Sequence, residues 1–362
     1  MAMQLECPSC GAKVKVRRGV PSVECQYCGN SIMVPGYREP PSSAPTARTL
    51  VFPTKSCGRT IVVSVVVSIL LVVGISVFVY TMTGSAVTEL SDAVSEDSPT
   101  MLVNEFGGAG SGPGFFQDPV CIAIDGKDHI YVGERETGRI QVFDTDGDYL
   151  RQWVFASDEE YYLSSMSAGN SSTVYLVYGS DLFAYSGDSG ELLDTLQHPK
   201  GWGFGDVDTA PDGSILASWY KHGDDILRFN SDGEITLMLE NAISSNTGDS
   251  ELSTTVVSGN LGEFYAFGSF NNAVFSFNSD GRFRDRFGSD DLFIMPQGMD
   301  VDPQGRLWIS DFGNLLVFSS SGELLDTIDP GVSIGDFVIN TDQQLFGITI
   351  DETVVQLDLS DY

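Results

Sequence analysis

The sequence predicts an all-β protein whose bulk is a closed six-bladed β-propeller, joined through one transmembrane helix to a small four-cysteine domain. Three observations lead there. Turn glycines recur at Gly147, Gly190, Gly233, Gly281 and Gly322, spaced 41 to 48 residues apart, which is the period of propeller blades. Residues 61–80, IVVSVVVSILLVVGISVFVY, run without a charge. Two CxxC pairs, Cys7 with Cys10 and Cys25 with Cys28, stand near the N-terminus.

Residues 1–35 hold those cysteines. Each second Cys is followed by a glycine, Gly11 or Gly29, which frees the backbone to turn its amides toward sulfur. Four thiolates on two such turns form a tetrahedral site suited to Zn2+, and four protein ligands leave no open position, so the metal is structural. Iron held by the same four thiolates is the alternative. Some thirty residues bury too little apolar surface to fold alone, so the metal serves as the core. The stretch resembles the zinc-ribbon family, whose knuckles read CPxCG on short hairpins: CPSCG matches, and CQYCG has Gln26 where the family has Pro. Lys13, Lys15, Arg17 and Arg18 read as the solvated face of a hairpin.

Residues 36–59 are rich in Pro and Ser and read as a flexible cytoplasmic linker. Cys57, close to the membrane, is a permissive site for palmitoylation. The span follows at 60–80. At ~1.5 Å rise per residue its length matches the ~30 Å hydrocarbon core, and in lipid a single segment satisfies its backbone only as a helix. Ser64, Ser68 and Ser76 share one helical face and allow self-association through the span. Eight Lys and Arg precede the span, and the next after it is Lys127. The positive-inside rule therefore places the N-terminus in the cytoplasm and the rest outside, at the cell membrane. A cleaved signal peptide ending near Gly84, Ser85 and Ala86 is the alternative; the charged residues ahead of the span and its length favour an uncleaved signal anchor.

Charge divides at the span. Residues 1–60 carry eight basic and three acidic side chains, net +5; residues 81–362 carry 11 and 47, net −36. Phosphate backbones and anionic headgroups are repelled by the larger part, which argues against nucleic acid there and leaves cations, basic proteins and small ligands as partners.

After an acidic stalk at 81–100, residues 101–362 repeat a unit of four short alternating runs parted by Asp-Gly and Ser-Gly turns, a hairpin pattern. Units begin near Val120, Tyr161, Gly203, Leu252, Gln297 and Ile334. The sixth has only three strands. Residues 101–106, MLVNEF, are predicted to supply the fourth by pairing with residues 353–359, which closes the ring and removes an exposed edge. The segments EFGGAGSGPGFFQDPVCIAIDGKDHIYVGERETGRIQVFDTDG and FGSDDLFIMPQGMDVDPQGRLWISDFGNLLVFSSSG resemble NHL repeats, which implies a six-bladed propeller and leaves activity open.

Relatives of that fold include metal-dependent lyases and lactonases. The amidating-lyase type needs several axial histidines. The chain has His129, His198 and His222, and strand order puts His198 and His222 on one face and His129 on the other, so a three-His site fails. The gluconolactonase type holds a divalent cation, such as Ca2+, with central Glu, Asn and Asp; Asp118, Glu134, Asp224, Asn271 and Asp311 are the candidates here, with turn residues as the plainer reading. Cys121 reads as a buried filler, and Trp202, Trp219 and Trp308 as core between blades. No catalytic set is assigned. The expectation is a membrane-anchored protein that binds a protein or small ligand, with a cation-dependent lactonase or lyase as the alternative.

Overall fold

The structure, a computed structural model, describes residues 3–6, 13–16, 22–24, 31–33, 101–155, 162–248, 251–289 and 291–362. The chain forms two compact units, Met1–Ser95 and Glu96–Tyr362.

In the first unit, β1 (Met3–Glu6) pairs antiparallel with β2 (Lys13–Val16), and β3 (Ser22–Glu24) with β4 (Ser31–Met33). Cys7 and Cys10 fall in the connection within one hairpin, and Cys25 and Cys28 in that within the other; all four lie outside the described residues. So do the predicted linker, span and stalk. Among the described residues no helix is long and apolar enough to cross a membrane.

The second unit is a ring of six four-stranded antiparallel blades. It opens with β5 (Leu102–Gly107). Blade 1 is β6 (Pro119–Ile124), β7 (Ile130–Glu134), β8 (Arg139–Phe143) and β9 (Tyr149–Val154); blade 2 is β10 (Leu163–Ala168), β11 (Thr173–Tyr178), β12 (Asp181–Ser186) and β13 (Leu192–Leu196). Blade 3 is β14 (Phe204–Thr209), β15 (Ile215–Trp219), β16 (Asp225–Phe229) and β17 (Ile235–Leu239); blade 4 is β18 (Thr254–Ser258), β19 (Phe264–Gly268), β20 (Ala273–Phe277) and β21 (Phe283–Phe287). Blade 5 is β22 (Pro296–Val301), β23 (Leu307–Asp311), β24 (Asn314–Phe318) and β25 (Leu324–Ile328). Blade 6 is β26 (Ile334–Ile339), β27 (Gln344–Thr349), β28 (Thr353–Asp358) and, from the other end of the domain, β5. The predicted closure is therefore observed. Thr353 pairs with Gly107, Val355 with Glu105 and Leu357 with Leu102, and Thr353 Oγ1 donates to Glu105 at 2.8 Å.

Burial follows position in the blade. The second and third strands are buried nearly throughout, as in IYVGE and RIQVF, whereas outer strands such as LLDTI keep most side chains exposed. Apolar clusters fill the spaces between blades; one joins Cys121, Ile140 and Trp153 of blade 1 to Leu163 and Leu176 of blade 2. Trp219 and Trp308 are buried there as predicted. Trp202 is not: it lies in the loop before β14, 52 % exposed, with the Lys221 ammonium 3.4 Å from its ring centre. Its neighbours Gly201 and Gly203 have φ of +97° and +139°, so the chain turns at the rim before it can enter the core.

The FG of the repeat has a packing explanation. Phe106, at the end of an outer strand, lies against Gly147 in the turn of the next blade, where a Cβ would sit 2.6 Å from the ring. Phe287 meets Gly322 in the same way, at 2.4 Å. Both turn glycines have φ above +80°, so side-chain volume and backbone conformation both require glycine. The turns on that face share a second device: a carboxylate or amide accepts two backbone N–H groups two and four residues on, as Asp144 does from Asp146 and Asp148 and Asn340 from Asp342 and Gln344. Part of the acidic composition is thus spent on turns. The 48-residue interval between Gly233 and Gly281 holds an added helical turn, Ser244–Thr247, which the repeat pattern did not predict.

Candidate functional site

The innermost strands β6, β10, β14, β18, β22 and β26 line a central channel of about 750 Å3. An inner strand has one free edge, whose N–H groups need acceptors. Side chains of the preceding blade supply them. Ser165 Oγ accepts from Val207 N at 3.1 Å, Asp206 from Val256 N and Asp208 from Ser258 N at 2.7 Å each, Asp300 from Ile339 N at 2.6 Å, and Asp336 from Ile122 N at 2.9 Å. These bonds link blades 2 to 3, 3 to 4, 5 to 6 and 6 to 1.

Four carboxylates in one channel raise each other's proton affinity. Burial pushes Asp336 up to about 7, with Asp206 adding repulsion, and pushes Asp206 up to about 6, with Asp208 adding to it. Asp300 is raised well above the carboxylate range by burial and then by Asp208. Cys121, buried as predicted, faces the same channel and its thiol is pushed up by burial, then by Asp336 and Asp206. None of the four carboxylates stood among the sequence candidates. In the sequence they stand in the first strands FGDVDT, PQGMDV and IGDFVI, where they alternate with apolar neighbours as any polar residue would.

The sequence candidates lie at the mouth formed by the loops that precede first strands and join second to third strands, and each ties a loop of one kind to a loop of the other. Glu134, fully buried, bonds Arg139, Thr137 and the Gln117 amide. Asp224 accepts from Ile243 N, Ser244 N and Ser244 Oγ and holds the added helical turn. Asp311 accepts from Ile294 N and Met295 N. Asn271 donates to Glu251, itself 1 % exposed and bonded to Phe270 N. Asp118 pairs with Arg135 in solvent. Among the described residues no three His, Cys, Asp or Glu side chains are placed to hold a metal ion.

The histidines divide as strand order predicts. His198 stacks on Trp219 at 4.1 Å, with His222 5.8 Å from the same ring. His129 is elsewhere, its Nδ1 3.1 Å from Asp125. His198 is buried; its Nδ1 accepts from Lys200 N, and its Nε2 lies 3.3 Å from Asp225 Oδ2 without hydrogen-bond geometry. Burial depresses its pKa against the pull of Asp225. Lys200 bridges Asp225 and Glu240 at 3.0 and 2.9 Å, so the cluster joins the loop before β14 to the ends of blade 3.

The FG turn, the following Phe116 and the strand pair β7–β8 define the repeat in blade 1. Residues 116–143 match the NHL repeat. In overall fold the propeller is similar to a gluconolactonase from Xanthomonas campestris, with a TM-score of 0.52 and 16% identity over 66% of this chain and 85% of that one. It is also similar to a putative gluconolactonase, with a TM-score of 0.52 and 13% identity over 67% and 89%. At such identities the likeness concerns the fold alone. No curated protein matches the chain.

Proposed function

We propose that the chain is a membrane-anchored binding protein, with an extracytoplasmic propeller that takes a protein or small ligand and a cytoplasmic zinc ribbon held by Cys7, Cys10, Cys25 and Cys28. The observation that carries the reading is where the channel and mouth carboxylates are spent: Glu134, Asp224, Glu251 and Asp311 on loop amides, and Asp206, Asp208, Asp300 and Asp336 on the next blade. A hydrolase needs acid, base and nucleophile free to meet a substrate. A binding platform needs rigid loops, and these groups provide them. The charge-free run at 61–80 and the basic residues before it support the anchor and its orientation. The two CxxC pairs, which fall in sequence between β1 and β2 and between β3 and β4, support the metal.

The alternative is a lactonase or lyase dependent on a divalent cation such as Ca2+. Both readings are tested on the purified full chain. The binding reading expects one zinc per chain by metal analysis, no shift of the propeller's melting with millimolar Ca2+, and glucono-lactone hydrolysis at the uncatalysed rate. A Ca2+-dependent rise in melting temperature by linkage, together with lactone turnover, would replace it with the enzyme.

A further inference from the structure

The two faces of the propeller differ in what their loops expose. The turns between first and second strands and between third and fourth are built from Asp, Asn, Ser and Gly, and carry one large exposed apolar side chain, Leu261. The loops of the other face expose several, and those of blades 4 and 5 are tied to one another by hydrogen bonds. Leu252 precedes β18, Phe270 joins β19 to β20, Ile294 and Met295 precede β22, and Phe312 joins β23 to β24. They are 52 to 68 % exposed. Loops of this kind are ordinarily polar, and adjoining apolar side chains on a surface mark an interaction site.

The group is held in place from beneath. Glu251, buried under it, takes the amides of Leu252 and Phe270; Asp311, also buried, takes those of Ile294 and Met295; Asn272 Nδ2 donates to Phe293 O at 3.1 Å across the blade boundary. Phe293 itself is buried against Phe267 and Phe318. The apolar tips are therefore presented on fixed backbone, which limits the ordering cost of binding. Phe312 adds a second mark. Its φ is +46°, a left-handed conformation that a bulky residue adopts only under strain and that Gly would adopt freely. A strained backbone that exposes a phenyl ring gains nothing for the fold.

Charge selects the occupant. Residues 101–362 carry 11 basic and 43 acidic side chains, net −32; within the patch loops Glu251 and Asp311 are buried, and Asp291, in the loop before β22, is exposed. Arg286 reaches the edge of the patch from β21, donating to Asn271 O. An apolar centre in a strongly negative domain repels anionic lipid and a second copy of itself, and attracts a cationic chain. β5 and β28 bring both ends of the domain to the opposite face, so the patch points away from where the chain enters. We infer that the loops of blades 4 and 5 dock a basic amphipathic polypeptide segment, with Leu252, Phe270, Ile294, Met295 and Phe312 receiving its apolar anchors. The inference rests on the binding reading and names its partner class.

The test uses the full chain in phosphatidylcholine nanodiscs, with empty discs as the blank. The probe is a fluorescein-labelled 16-residue amphipathic peptide of Lys, Leu and Trp, with a Glu-for-Lys counterpart, followed by anisotropy. The Lys peptide is expected to bind saturably and the Glu peptide not at all. Phe270→Ser with Ile294→Ser should weaken binding about tenfold or more, as loss of an interface hot spot does. Phe312→Gly should weaken it severalfold while the propeller melts no lower than the parent. Equal affinity of parent and variants would overturn the inference, as would patch-dependent binding of phosphatidylglycerol vesicles, or patch-dependent dimers in sedimentation. Ca2+-dependent lactone turnover would instead sink the binding reading, whatever the peptide does.

Discussion

At the scale of the residue, Asp336 shows how a side chain chosen for assembly sets a response to pH. In the fold it ionises near pH 7 because burial opposes its charge, whereas an unfolded Asp ionises near ~3.9. Between those values the folded chain holds a proton that the unfolded chain has lost, so the contribution to stability is present below pH ~4 and is lost as pH rises through 7. Asp206, raised to about 6, acts in the same direction. Asp125, whose pKa is lowered because the hydrogen bonds it accepts, among them those from the His129 and Lys127 amides, outweigh the opposing effect of burial, acts in the opposite sense and at more acid pH. Urea melts should therefore show a more stable propeller at pH 5 than at pH 8. Asp336→Asn keeps an oxygen for Ile122 N and removes the charge, so it should flatten that slope and add on the order of 2 kcal/mol at pH 8. A variant with the parent's slope would refute the assignment. The sequence did not disclose this residue's role, because the amide it serves lies 214 positions away and an Asp facing a channel breaks no alternation rule. The turn that Asp144 opens was legible from its Asp-Gly pair, and the partners of Asp144 are only two and four residues on.

At the scale of the element, β5 decides whether the ring is closed. It contributes the outer strand of blade 6, packs Phe106 on Gly147 of blade 1 and places Gly107 against Phe116. Deleting residues 101–106 exposes the edge of β28 and uncovers blade 1, and should cost several kcal/mol, a large share of the roughly 5–15 that stabilises a domain. It should also promote aggregation through the free edge. Deleting residues 89–99 should leave the urea midpoint unchanged; equal loss in both truncations would contradict the closure. The clasp was readable because a six-unit count left one strand missing and one unassigned strand ahead of the first unit. The helical turn at Ser244–Thr247 was not readable: it has no periodic face and is held by a single carboxylate, Asp224. The apolar patch escaped notice for a similar reason, since Phe270 and Phe312 look like core residues until their loops are placed at the rim.

At the scale of the whole molecule, the proposed topology puts one chain in three environments: thiols and basic residues inside, a charge-free run in the bilayer, and an acidic ring outside. The ring's acidity is consistent with its architecture, since turn caps and inter-blade bonds consume many of the carboxylates. The remainder gives a field that favours cationic partners. The central claim, that the propeller binds outside the cell membrane while the metal domain stays within, is tested most directly by adding protease to intact spheroplasts and probing with antibodies to each part. The expected result is loss of the propeller epitope, through cleavage in residues 81–100, with the epitope of residues 1–35 protected until the membrane is lysed. Protection of the propeller together with cleavage of the head would contradict it.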